Sequence, residues 1–154
     1  MNYKKILEVL KESEISISNF AYENVPSKTP YSSEALEAER IKDQWVVDNP
    51  NPGYGTDKYQ EWLENFSKFP SKYNIAQREW LAEHNIPTWK EVEQVGGEGQ
   101  GDTWYSVKYF PDHDVYINVS GYYSSYNGTD FNDWDDACSE VKPIEKTITV
   151  YESI

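Results

Sequence analysis

The sequence predicts an α+β fold, with N-terminal helices packed on a C-terminal antiparallel β-sheet of three to four strands. Three observations carry that expectation. Tyr59, Trp62, Leu63 and Phe66 recur at i, i+3, i+4 and i+7, the clearest helical stripe in the chain. After Pro87 the apolar period falls from that of a helix to that of a strand. Two alternating runs are then joined by the short Pro111-Asp112-His113 connection, which makes them a hairpin.

Taken in order, Lys4 to Ser13 carries Ile6, Leu7, Val9 and Leu10 at spacings that suit a short, weakly amphipathic helix. From Ser13 to Ser33 the chain is rich in Ser, Pro and Thr, and its Ile15, Ile17, Phe20 and Tyr22 suggest a segment lying extended against the body. Ser33 can cap a second long helix with Glu34 and Glu37 in its first turn and Ala38, Ile41 and Trp45 along one side; Asn49-Pro50-Asn51-Pro52-Gly53 ends it. Thr56 and Asp57 open the helix of the Tyr59 stripe, which Pro70 stops. Asn74 with Gln77 has the spacing of a capping box for another helix, bearing Ala76, Trp80 and Leu81 and ending near Asn85.

Strands follow. Lys90 to Val95 fits two patterns, a helix start with Thr88 and Glu91 as a capping box and a first β-strand, and the Gly96-Gly97-Glu98-Gly99 turn that follows favours the strand. Thr103 to Phe110 alternates Tyr105, Val107 and Tyr109 against Trp104, Ser106 and Lys108, and Asp114 to Tyr123 alternates Val115, Ile117 and Val119 against Tyr116, Asn118 and Ser120. Glu145 to Glu152, with Ile148 and Val150 opposing Thr147, Thr149 and Tyr151, supplies another strand. The 154 residues fit a single domain with a mainly helical half, 1–87, and an acidic antiparallel β half, 88–154.

Aliphatic residues are scarce, and the six Trp and thirteen Tyr replace them as core material, since each aromatic ring buries roughly 150–250 Å². The formal net charge of −13 is uneven: residues 88–154 hold thirteen Asp/Glu against four Lys/Arg, a net of −9. That field repels phosphate backbones and attracts basic surfaces, which argues against direct nucleic-acid binding and for a basic protein partner or a cation. The lone Cys138 excludes an internal disulfide framework and a Cys-based zinc site, and fits a reducing compartment. The N-terminus lacks a signal-peptide pattern and no apolar run approaches the ~20 residues that span a bilayer, so a soluble protein, not tied to a membrane, is expected.

Between Lys108 and Lys142 the chain carries seven acids, Asp112, Asp114, Asp130, Asp133, Asp135, Asp136 and Glu140, and no lysine or arginine. They are interspersed with Tyr116, Tyr122, Tyr123, Tyr126, Phe131 and Trp134, unlike the composition of a disordered acidic tail. In one reading these carboxylates form a rigid acidic face for a cationic partner, and in the other they only keep the protein soluble. A calcium loop is disfavoured because, counting from Asp130, position six is Asp135 rather than glycine, and no metal or other cofactor is expected. Asp112-His113-Asp114 is better explained as a turn than as a catalytic pair, and GGEGQGD lacks the GK[ST] ending of a phosphate loop. No catalytic residue is assigned.

The runs GGEG and GD with Trp104, HDVYI (113–117), GYYSSYNGTDF (121–131), EVKP (140–143) and EKTITVYE (145–152) resemble the C-terminal region of a set of small, mostly uncharacterised acidic bacteriophage proteins. The resemblance implies a phage origin and a site of action in the host cytoplasm. It also suggests a non-enzymatic inhibitor of a host defence nuclease, of the anti-restriction or anti-CRISPR kind. The partner would then be the basic surface of a nuclease or other nucleic-acid-binding protein, met by Asp112, Asp114, Asp130, Asp133, Asp135, Asp136 and Glu140 with Tyr122, Tyr123 and Tyr126. The alternative is a small virion or infected-cell protein-binding module that uses its tyrosine-rich surface.

Overall fold

The computed structural model describes residues 1–99 and 101–154 and has an α+β architecture. In chain order the elements are α1 (Tyr3–Glu12), α2 (Ile17–Ala21), α3 (Ser33–Asp48), α4 (Tyr59–Ser67), α5 (Lys72–Glu83), β1 (Lys90–Val95), β2 (Thr103–Phe110), β3 (Val115–Ser124), β4 (Gly128–Asp130), α6 (Trp134–Ala137) and β5 (Cys138–Val141). They divide into two compact units: residues 12–88, which are helical, and residues 1–11 with 89–154, which hold the sheet.

In the helical unit, the segment expected to be extended contains α2, because Ser16 caps it by accepting from the Asn19 amide at 3.1 Å and Phe20 and Ala21 are buried. The cap of α3 is Ser32 rather than Ser33: its hydroxyl accepts from the Ala35 amide and also donates to Glu79 of α5. Ala35 and Ala76 are both fully buried, so α3 and α5 can approach closely, and Lys72 closes on Glu39 at 2.9 Å. The capping box of α5 is Ser71 with Asn74, not Asn74 with Gln77, whose amide instead donates to the Val25 carbonyl at 3.2 Å. Thr56 belongs to a turn closed on Gly53, and α4 starts one turn later than Thr56-Asp57 suggest, with Lys58 at its N-cap. The Tyr59 stripe is an aromatic stack: Trp62 lies 5.0 Å from Phe66 with nearly parallel rings, and Trp45 of α3 meets Trp62, Phe66 and Phe69 at 5.5–6.4 Å.

The sheet is antiparallel throughout, ordered β1-β2-β3, with β4 and β5 both on the far side of β3. Phe110 pairs with Val115 across the hairpin, so the Pro111-Asp112-His113 connection does what its length suggests. The inward row of β2 is Trp104, Ser106, Lys108 and Phe110, matched by Val115, Ile117 and Val119 of β3. Lys108 is fully buried because Glu91, its register partner on β1, accepts from its ammonium at 3.2 Å and from the Ser106 hydroxyl at 2.6 Å. Tyr109 and Tyr116 stack at 4.3 Å in the outward row. Helix α1 buries Ile6, Leu7 and Leu10 and is tied to the sheet's unit by Tyr3, whose hydroxyl donates to the Cys138 carbonyl at 3.2 Å.

The expected strand over Glu145 to Glu152 is not formed: residues 142–154 carry no regular secondary structure, and all are exposed. A strand requires a neighbour to take its backbone hydrogen bonds, and the edge of β3 is already filled by β4 and β5. Those two short strands, which the sequence pattern does not mark, raise the count from the expected three or four to five.

Candidate functional site

The acidic segment is bound at both of its ends to one strand. Asp130 pairs with Tyr122, and Glu140 pairs with Ile117, five residues away along β3, or about 17 Å at ~3.3 Å per residue. Between these anchors lie Asp133, which precedes α6, and Asp135 and Asp136 within it. Asp133 is the N-cap residue, and the Asp136 and Ala137 amides donate to its carbonyl while its carboxylate makes no capping bond. Ala137 and Cys138 are buried, which pins the C-terminal side of this turn.

Gly121 fixes the other side. A Cβ there would meet the Asp130 carbonyl at 2.6 Å and the Phe131 ring at 2.8 Å, so the bare backbone lets the segment close over it. Phe131 then meets Trp104, the register partner of Gly121, edge to face at 5.7 Å. The backbone that carries these acids is therefore pinned on both sides of the segment.

Among the described residues, Asp135 is the one member of the segment with a salt-bridge partner, Lys11 of α1. Asp130, Asp133, Asp136 and Glu140 are all exposed, and among the described residues none of them is in a salt bridge with lysine or arginine. Burial and then the nearby charges of Cys138, Asp135 and Glu140 push the Tyr3 phenol above its ordinary range.

The remaining residues of interest separate into two places. Tyr122 and Tyr123 flank the Asp130 end; Tyr122 is 60% exposed, Tyr123 half-buried, and Tyr126, in the β3–β4 turn, 91% exposed. Asp112 and Asp114 sit in the β2–β3 turn at the opposite end of β3, seven residues or about 23 Å from Tyr122. Asp114 adopts a positive φ of 50° and accepts from the Tyr109 hydroxyl at 3.2 Å, and His113 Nδ1 lies 2.7 Å from the Met1 amino group. The segment and the tyrosines adjoin, whereas Asp112 and Asp114 terminate the same strand.

A shallow cleft of about 450 Å³ opens where β1 turns into β2, lined by Gln94, Val95, Gly96, Glu98, Asp102 and Thr103, and it too is acidic. No group of three or more His, Cys, Asp or Glu among the described residues is placed to hold a metal ion. No described helix is long and apolar enough to cross a membrane. Comparison of the chain with known protein families, with curated proteins and with solved structures finds no match in any of the three.

The one thiol lies under this segment. Burial first, and then the Asp135 carboxylate, push Cys138 up to about 12, with Lys11 pulling the other way. A thiol held protonated is a poor nucleophile. At pH 8 the folded protein is expected to resist a maleimide over a time in which the urea-unfolded chain takes one equivalent. Intact-mass spectrometry checks this, and rapid labelling of the folded protein would show that α6 opens away from β3.

Proposed function

We propose that this protein is a phage-encoded, non-enzymatic inhibitor that occupies the basic nucleic-acid-binding site of a host defence nuclease of the restriction or CRISPR kind. The observation that carries the reading is the β4–α6–β5 edge. Five acidic residues, Asp130 to Glu140, fall between backbone anchors about 17 Å apart, a mean interval of about 4 Å, against one phosphate per ~3.4 Å of rise on a DNA strand. A groove lined with arginine and lysine would meet a comparable charge density on a protein surface that is already ordered, and so would pay little entropy to bind it. Tyr122 and Tyr123 supply apolar area beside the charges, and Tyr126 extends it; Asp112 and Asp114 serve at the far end of the strand.

The test is binding to basic nucleases captured from bacterial lysate, followed with the purified target. Affinity is expected to fall steeply with ionic strength and to be competed by duplex DNA. Substituting Asp133, Asp135 and Asp136 together by Asn is expected to weaken binding by about tenfold or more while Tm stays within a few degrees of wild type. Binding that the triple variant leaves unchanged would refute the reading.

The exposure of Tyr122 and Tyr126 favours a second reading, a protein-binding module of the virion or infected cell that uses the tyrosine surface. It is distinguished by binding that ignores salt and is lost in Tyr122→Ala/Tyr126→Ala.

A further inference from the structure

Residues 145–152 combine strand-forming sequence with the absence of any sheet. Thr147-Ile148-Thr149-Val150 is an unbroken β-branched run, with neither glycine nor proline from Ile144 to Ile154. Yet Ile148 is 77%, Val150 71% and Tyr151 94% exposed. An alternating segment of this kind left in water is unusual outside interfaces, since nothing rewards its apolar row.

The same chain offers an open edge. Among the described residues strand β1 ends the sheet, pairs only with β2 and is exposed at all six positions, including Val92 and Val95. Its one irregularity, at Glu91/Glu93, leaves Glu93-Gln94-Val95 regular and open. Charge also suits the pair. The tail carries Lys146, and the open part of β1 carries Glu93; Glu91 is already held by Lys108, and Lys90 lies at the start of the strand.

A chain cannot satisfy its own edge in this way. A strand outside β1 would lie four strand spacings from β5, about 19 Å at ~4.8 Å each, whereas Val141 to Glu145 spans at most about 14 Å. Direction forbids it as well. Strand β5 runs toward the β2–β3 turn and β1 runs away from it, so the returning tail would be parallel to β1, a pairing that ordinarily needs a crossover of a dozen or more residues.

We propose that residues 145–152 are a docking strand that adds antiparallel to the β1 edge of a second copy of this chain, reciprocally, giving a two-fold dimer by strand addition. An antiparallel register with Lys146 opposite Glu93 also sets Ile144 opposite Val95. The contact is on the sheet edge opposite to the acidic one, so it leaves the β4–α6–β5 segment free.

Light scattering on the full chain at micromolar concentration is expected to give a mass twice the monomer's 18.0 kDa. Thr149→Pro, in an exposed segment outside the regular secondary structure, is expected to give the single mass with an unchanged circular dichroism spectrum and Tm. Excess peptide of residues 144–153 is expected to convert the wild-type dimer to monomer. A wild-type protein that is monomeric at 100 μM would overturn the proposal, and so would a Thr149→Pro dimer that the peptide leaves intact.

Discussion

Replacing Lys108 with alanine is expected to destabilise the protein by about 3–5 kcal/mol, measured as the change in urea unfolding free energy. Lys108 occupies the centre of β2 with no exposed side-chain surface, between Glu91 on one neighbouring strand and Ile117 on the other. Truncation removes the cation that Glu91 faces and empties the volume of the stem beyond Cβ, so an electrostatic loss and a cavity loss fall on one site. Lys108→Met separates them. Methionine refills most of the stem but still leaves Glu91 without its cation, so this variant is expected to recover the cavity part of the loss and keep the electrostatic part, falling between Lys108→Ala and wild type. Glu91→Gln should cost less than Lys108→Ala, because the Glu91 side chain keeps 37% of its exposure and the amide oxygen still accepts from Ser106. Should Lys108→Ala unfold at the wild-type urea concentration, the buried pair contributes nothing to the fold.

That lysine marks the limit of what alternation reveals. The period of two locates β2 and β3 to within a residue, but it does not say which row of β2 faces inward, and a row written Trp-Ser-Lys-Phe is not an evident core. Glu91 on the adjacent strand helps to make Lys108 tolerable there, and strand pairing is a non-local fact. Strands β4 and β5 escape for a different reason: three and four residues are too few to display a period. The converse holds for residues 145–152, where the pattern is present and the neighbour is missing. Helix caps slip by a residue or a turn because Ser32/Ser33 and Ser71/Asn74 offer competing donors and acceptors within one turn.

The site was legible in part. Composition alone shows that the acids between Lys108 and Lys142 lack basic neighbours in sequence, but the salt bridge of Asp135 comes from Lys11, more than a hundred residues away. That Asp130 and Glu140 lie along one edge follows from β4 and β5 both pairing with β3, while Asp112 and Asp114, closer to Tyr116 in sequence, are turned to the strand's end. Local spacing carries the charge density, and topology decides where it points.

Phe110→Ala is expected to cost about 3–5 kcal/mol, against about 1 kcal/mol for Phe110→Leu, by the same unfolding measurement. The ring is fully buried, faces Trp89 at 5.7 Å and pairs through its backbone with Val115, the first residue of β3. Because Glu140 is fixed to Ile117, two residues further along that strand, Phe110 supports the acidic edge without touching it. The two kinds of variant therefore divide along different axes. In Phe110→Ala, binding to a basic target should fall only as the folded fraction falls, and should recover on cooling or in a stabilising osmolyte. The Asn triple should instead lose binding at full folding, with its salt dependence flattened because fewer charges remain to be screened. If folded Phe110→Ala were to lose the target as completely as the triple, the contact would lie at the hydrophobic, hairpin end of the sheet, and the carboxylates would serve solubility alone.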